Sequence, residues 1–228
     1  MSLTVLYYTA NTLREPFASR VREQLIKAIG DLPLVSVSQK PMDFGRNICV
    51  GDIGQAYLNI YRQILVGAKA SETDFVALAE DDVLYPPEHF TTFLPPKDRV
   101  AYDMARWSFY TWSRPAMFSF KNRQTNTSLI APRVLLIEAL EERFAKFPDD
   151  SKVPLNHWAE VGRKERELGV TVRKVQEFVS QVPHIMFSHE DAIGYQYLGK
   201  RKAQGFLKAY DVPYWGKAEA IMDLWRNP

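Results

Sequence analysis

The sequence predicts an α/β fold built on a mostly parallel central sheet, and three observations carry that expectation. Two segments, Leu3–Tyr8 and Phe75–Ala79, are short, near-continuous apolar runs rich in strand formers, the pattern of strands buried on both faces. Between them, apolar residues recur at helical spacing in two stretches: Phe17, Val21, Leu25 and Ile29, then Ile53, Ala56, Tyr57, Ile60, Ile64 and Ala68. The resulting order, strand, helix, strand, loop, helix, strand, is that of a Rossmann-like, nucleotide-binding half of a parallel sheet with helices on both faces.

After the first strand, Thr9-Ala10-Asn11-Thr12 turns outward. Thr12 with Glu15 forms a capping-box pattern, Pro16 suits a first helical turn, and Gly30 stops the helix after Ile29. Leu34–Ser38 alternates as a second strand and closes a β-α-β unit. Residues 41–50 read as an irregular loop in which Cys49 is a small buried apolar group. Asp52 with Gln55 resembles a second helix start, which places both side chains at a helix N-terminus where a nucleotide phosphate is favoured.

That helix leads into Phe75–Ala79, and the apolar run ends in Glu80-Asp81-Asp82 before the double proline Pro86-Pro87. Ligands of open α/β sheets bind at the carboxyl ends of the strands. Three adjacent carboxylates repel one another, and a divalent cation with oxygen ligands relieves the repulsion. A solvated acidic turn is the simpler alternative.

Farther along, residues 88–93 suit one helical turn, while Arg99–Met104 and Ala116–Phe120 read as strands. Trp107, Phe109, Tyr110 and Trp112 lie between those strands and serve either the core or a platform for a sugar ring. Pro132 opens a helix through Phe144, and Arg114, Lys121 and Arg123 suit a phosphate or polyanionic acceptor. The stretch 154–168, which contains Glu160, alternates charges as a solvent-exposed, pair-forming face ended by Gly169. Val172–Val179 resembles an edge strand, and a short apolar strand then delivers His189-Glu190-Asp191. The run Gly199–Lys208, Lys200 included, is basic without acids and suits closure over a diphosphate, docking of an anion, or simply a solvated helix face. A final helix carrying Ile221, Leu224 and Trp225 packs back on the body.

Bulk properties narrow the classes. A chain of 228 residues suits one domain, and 46% hydrophobic with 25% charged residues excludes disorder as the default. A net charge of +2 is too balanced to argue by itself for nucleic acid. The single cysteine permits no internal disulfide and no cysteine zinc site. The N-terminus lacks a secretory pattern, and no apolar run reaches the roughly 18 residues of a membrane span. A soluble, cytoplasmic protein is expected. Neither Gly-x-Gly-x-x-Gly nor Gly-x4-Gly-Lys-Ser/Thr occurs, which argues against dinucleotide enzymes and P-loop NTPases.

Glu80-Asp81-Asp82, together with the element order before it, resembles the Asp-x-Asp signature of GT-A-type glycosyltransferases. The resemblance implies a three-layer α/β/α domain over 1–228, in which 1–93 binds a nucleotide-sugar and 94–228 binds the acceptor. It also implies Mn²⁺ or Mg²⁺ as cofactor, with Glu80 or Asp81 at the ribose and Asp82 on the metal. Thr9 and Asn11, in the loop after the first strand, would touch the base and ribose, and His189 would be the second metal ligand. The expected reaction moves a sugar, most commonly from a UDP-sugar, to a hydroxyl of a saccharide or another acceptor, a modified nucleic-acid base included. An inverting transfer needs a carboxylate base, for which Asp191, Glu190 and Glu160 are candidates. The alternatives are a nucleotidyltransferase, which would want a Gly- and Lys-rich loop where Thr9-Ala10-Asn11-Thr12 stands, and a non-catalytic glycan- or nucleic-acid-binding module.

Overall fold

The computed structural model describes residues 2–149, 153, 159–193 and 205–226. The strands are β1 (Leu3–Thr9), β2 (Leu34–Ser38), β3 (Arg46–Cys49), β4 (Phe75–Glu80), β5 (Val83–Leu84), β6 (Arg99–Asp103), β7 (Arg106–Tyr110), β8 (Phe118–Phe120), β9 (Leu129–Pro132), β10 (Lys174–Phe178), β11 (His184–Ser188) and β12 (Lys208–Ala209). The helices are α1 (Phe17–Ile29), α2 (Tyr57–Ala70), α3 (Pro87–Thr91), α4 (Arg133–Lys146) and α5 (Glu165–Leu168), followed by a C-terminal helix Ala218–Arg226 behind a short hairpin.

β1 is buried at all of its positions because it runs through the middle of a seven-stranded sheet of order β10-β6-β9-β4-β1-β2-β3. Only β9 runs antiparallel in this sheet, pairing with β4 on one side and β6 on the other. Alternation sorts the side chains: Leu6, Val76 and Leu78 pack with α2 and α4 on one face, and Val5, Tyr7 and Ala77 with α1 on the other. A second sheet, β12-β8-β7-β11-β5, adds a further apolar cluster in which Phe17, Phe109, Phe187 and Trp225 meet edge to face or stacked. No described helix is long and apolar enough to cross a membrane.

Several local expectations are corrected. α1 begins at Phe17, and Thr12 does not cap it; Glu15 instead accepts Ser19 N at 2.9 Å and Ser19 Oγ at 2.6 Å. α2 begins at Tyr57, so Asp52 and Gln55 precede the helix rather than forming its N-terminus. The cause is a long-range clamp: Gly54, at φ 76°, donates to Gln39 Oε1 at 3.1 Å and accepts from Gln39 Nε2 at 3.0 Å, which holds the chain out of helical geometry. Residues 46–49 add an edge strand, and Cys49 on it is exposed, not buried. The charged stretch after Ala159 is only partly a solvent face. Arg143 is fully buried and donates to Ala159 O, to Glu160 O at 3.1 Å and to the buried Glu165 at 3.3 Å, and this fixes the loop that carries Glu160. β10 lies at the sheet edge as expected.

α2 crosses β1 at Gly67, where an added Cβ would lie 2.7 Å from Leu6 Cγ. Alanine gains up to about 1 kcal/mol in helix propensity over glycine, but overpacking a closed core costs about 1–3 kcal/mol. Leu6 has no exposed surface into which to retreat, so the steric term wins. Gly67→Ala is expected to lower the denaturant midpoint at unchanged m-value; an unchanged or higher midpoint would refute this contact.

Candidate functional site

β1, β2 and β4 are parallel neighbours, so their carboxyl ends, at Thr9, Ser38 and Glu80, open on one edge of the sheet. A cleft of about 150 Å³ lies there, with Thr9, Gln55, Glu80, Asp81, Asp82 and His189 in its lining. The acids hold different positions. Glu80 Oε1 accepts the Tyr8 hydroxyl, and Asp81 Oδ2 accepts the Thr9 hydroxyl. Asp82 Oδ2 stands 3.4 Å from His189 Nε2. Asp82 Oδ1 and His189 Nδ1 are buried and have no hydrogen-bond partner among the described residues.

The two residues meet because the second sheet pins the acidic turn. β5 pairs antiparallel with β11, Leu84 with Ile185 and Val83 with Met186, and Phe187 N donates to Asp82 O at 2.9 Å. His189 is the residue next to the end of β11, and so emerges beside Asp82. A carboxylate and an imidazole with unmatched buried atoms, next to a second carboxylate, form a donor set that suits a divalent cation. Burial, then the charge of Asp82, pushes the Asp81 carboxyl up to about 6, against the hydrogen bond from Thr9 and the attraction of His189. Burial and then Glu80 hold the Tyr8 phenol well above its ordinary range, so it remains a donor at neutral pH.

The rest of the rim is braced by amide side chains. Asn11, left-handed at φ 55°, is outside the cleft lining; its Oδ1 accepts Gln39 N at 2.8 Å and Lys40 N at 2.9 Å, while its own N donates to Thr9 Oγ1 at 2.8 Å. Gln63 donates to the carbonyls of Thr9 at 2.8 Å and Val37 at 3.0 Å and ties α2 to the ends of β1 and β2. Gln55 reaches Thr12 Oγ1 at 2.6 Å within the cleft lining, whereas Asp52 is exposed and bonds to Gly54 N at 3.2 Å.

A second cleft of about 430 Å³ adjoins the first, and Ile60, Glu80, Met186 and Ile193 line both. Of the candidate bases, Glu160 lines this second cleft, Asp191 lines the first, and Glu190 is exposed and lines neither. Tyr110 faces the second cleft, but Phe109 belongs to the core. Lys200 lies outside the described residues.

One cluster went unnoticed in the sequence. His89, Asp103 and His184, all fully buried, bring three ligand atoms within 4.8 Å of one another, a geometry that could hold a metal. None of them lines either cleft. Asp103 accepts from His89 Nδ1 at 3.0 Å, Ser180 Oγ at 2.7 Å, Ser180 N at 3.2 Å and Ala105 N at 3.0 Å, joining the end of β6 to α3 and to the segment between β10 and β11. Burial opposes ionisation of Asp103, but the hydrogen bond and charge of His89, then His184 and Ser180, outweigh it and hold the carboxyl well below its usual range. The three residues lie on separate elements, so no spacing in the chain signals them.

No protein-family model matches the chain, and no curated protein sequence does. Solved structures are similar in fold. A glycosyltransferase involved in glycosylation of the major capsid of PBCV-1 matches with TM-score 0.50 at 10% identity, over 82% of this chain and 93% of that one. S. aureus TarS 1–349 in complex with UDP-GlcNAc matches at 0.49 and 13% identity, over 84% and 60% of the two chains. The inositol-1-phosphate CTP transferase from T. maritima matches at 0.47 and 14%, over 80% and 88%. The strand order and the match to the capsid glycosyltransferase define a GT-A-like α/β fold. Glycosyltransferases and nucleotidyl transferases both occur among the structures that share features of it.

The raised pKa of Asp81 has a stability consequence. Folding favours its protonated form, so this contribution is present below about pH 4 and is lost as pH rises through about 6. Asp81→Asn is therefore expected to stabilise the metal-free protein by about 3 kcal/mol at pH 7.5 and by nothing measurable at pH 4. Urea titrations at the two pH values check it, and equal effects at both would remove the electrostatic explanation.

Proposed function

We propose that this chain is a metal-dependent glycosyltransferase that moves a sugar from a nucleoside-diphosphate sugar, a UDP-sugar first among the donors to test, to an acceptor hydroxyl. Residues 1–93 supply most of the donor side and 94–228 most of the acceptor side. The observation that carries the reading is the meeting of Asp82 and His189, with unmatched buried atoms, at the carboxyl end of β4 and beside Asp81.

In this reading Asp82 and His189 hold Mn²⁺ or Mg²⁺, which when bound offsets the negative charge on the departing diphosphate. Thr9 fixes the Asp81 carboxylate, and Tyr8 fixes Glu80, so that these acids face the ribose without rotating away. Asn11 and Gln55 shape the loops around the base, and Lys200 adds positive charge near the phosphates. Glu160 or Asp191 takes the proton of the acceptor hydroxyl as its oxygen attacks the anomeric carbon and the carbon–oxygen bond to the diphosphate breaks. Glu190 is the third candidate for that proton.

Thermal unfolding with a panel of nucleoside diphosphates, with and without Mn²⁺, tests the donor site. At 100 times its dissociation constant the correct nucleotide should stabilise the protein by roughly 2.7 kcal/mol, only with metal, and Asp82→Ala should lose the response. If no nucleotide shifts the wild type, the donor reading is abandoned. Release of pyrophosphate from a nucleoside triphosphate, with no nucleoside diphosphate from nucleotide-sugars, would point to nucleotidyl transfer instead.

Replacing the base identifies it. Glu160→Gln or Asp191→Asn, whichever removes the base, is expected to lower kcat roughly 10²–10⁴-fold with nucleotide binding intact. Near-wild-type kcat in both, and in Glu190→Gln, would exclude these carboxylates.

A further inference from the structure

The second cleft gathers an excess of positive charge. Arg106, Lys121, Arg123, Arg163 and Lys164 line it, against the carboxylates of Glu80 and Glu160. Arg163 donates to Glu160 Oε2 at 2.5 Å, and Lys164 lies 3.5 Å from Glu167. Arg106 differs. It is 2% exposed, its Nη1 contacts Met186 Sδ, and its buried Nε has no hydrogen-bond partner among the described residues.

Burial, then the positive charge of Arg123, lowers the Arg106 pKa to about 10, so the side chain is cationic at neutral pH and repelled by its neighbour. A desolvated guanidinium with an unmatched N–H, beside a second guanidinium at the mouth of an open space, is an arrangement that an anion relieves. The hydroxyls of Ser108, Tyr110 and Thr125 line the same space. A carboxylate has two oxygens to offer such a donor set, and a phosphate has more, in a geometry that guanidinium matches bidentately. None of the five cations lines the first cleft, so this site is separate from the one assigned to the donor diphosphate.

We infer that the second cleft binds the phosphate of a phosphate-bearing acceptor, with Arg106 and Arg123 as its anion-binding pair. The word acceptor rests on the transferase reading; the phosphate site itself does not.

Isothermal titration in metal-free buffer tests the site with inorganic phosphate, glycerol phosphate, dimethyl phosphate and, as the uncharged control, methyl glucoside. The proteins are wild type, Asp82→Ala, Arg106→Met and Arg123→Glu. Arg123 is exposed, so its variant keeps the test informative should Arg106→Met fail to fold. At least one phosphate probe should bind wild type and Asp82→Ala alike, at least tenfold more weakly in Arg123→Glu, and more tightly than methyl glucoside. Preference for glycerol phosphate would indicate a terminal phosphate, and comparable binding of dimethyl phosphate a phosphodiester chain. Equal phosphate binding in Arg123→Glu, loss of binding in Asp82→Ala, or no phosphate binding by wild type would overturn the inference. The donor reading stands or falls separately, on the metal-dependent nucleotide response.

Discussion

Charge crowding at the end of β4 is the constraint on which the rest of the site depends. A parallel strand buried on both faces must end somewhere, and here it ends in three consecutive carboxylates that are prevented from separating. The Tyr8 and Thr9 hydroxyls, both from the end of the neighbouring strand, hold Glu80 and Asp81, while the backbone of β11 holds Asp82 through Phe187 N. The repulsion is therefore not relieved by movement: burial, and after it the charge of Asp82, raises the Asp81 carboxyl to about 6. A free acidic loop would relax the same repulsion by moving its side chains into water. Fixing the acids is what makes a surface feature a candidate cation site.

The second sheet explains why the fixing works. β5 is only two residues long and could not hold a turn by itself, but its antiparallel pairing with β11 makes the turn part of a five-stranded sheet. β11 is in turn anchored at its start, where His184 faces the Asp103 cluster, and along its length by Phe187 in the aromatic cluster with Phe17 and Trp225. Core packing outside the cleft, including the Trp225 ring 5.2 Å from that of His189, thus supports the approach of Asp82 and His189. The same strand lends Met186 to both clefts, so the two spaces share one wall.

What was legible in the sequence follows from where the information lies. β1 and β4 were readable because burial on both faces leaves a continuous apolar run, and α1 and α2 because their stripes repeat at helical spacing. The start of α2 was misplaced because Asp52 and Gln55 carry good local cap chemistry, yet Gln39, far away in the chain, clamps Gly54 out of the helix. β7 and β9 were missed for related reasons: Arg106–Tyr110 mixes charge and aromatics, and Leu129–Pro132 is four residues ending in a proline. β9 is a strand because β4 and β6 leave it a place between them, which is a tertiary fact. At the site, the acids and the late histidine could be named from their places after strands, but the 3.4 Å approach of Asp82 and His189 depends on the β5–β11 pairing, which no local pattern encodes.

Net charge concealed the strongest electrostatic feature for the same reason. A total of +2 suggests a neutral surface, but the fold sorts the charges: among the described residues the first cleft is lined by acids with no lysine or arginine, and the second by five cations against Glu80 and Glu160. Those cations come from β7, from the segment after β8 and from the loop before α5; β7–β8 pairing brings the first two together, and Arg163 donates to Gln124 O at 3.0 Å to bring the third. Glu80 stands on the boundary, lining both spaces. Such sorting has a physical use in a transfer reaction. On the proposed function, an acidic pocket that takes an anionic nucleotide only together with a cation, set beside a basic pocket that repels that cation, would keep the metal on the donor and leave the other cleft to the acceptor. Two ligands that are both anionic can then occupy adjoining spaces without competing for the same counter-charge.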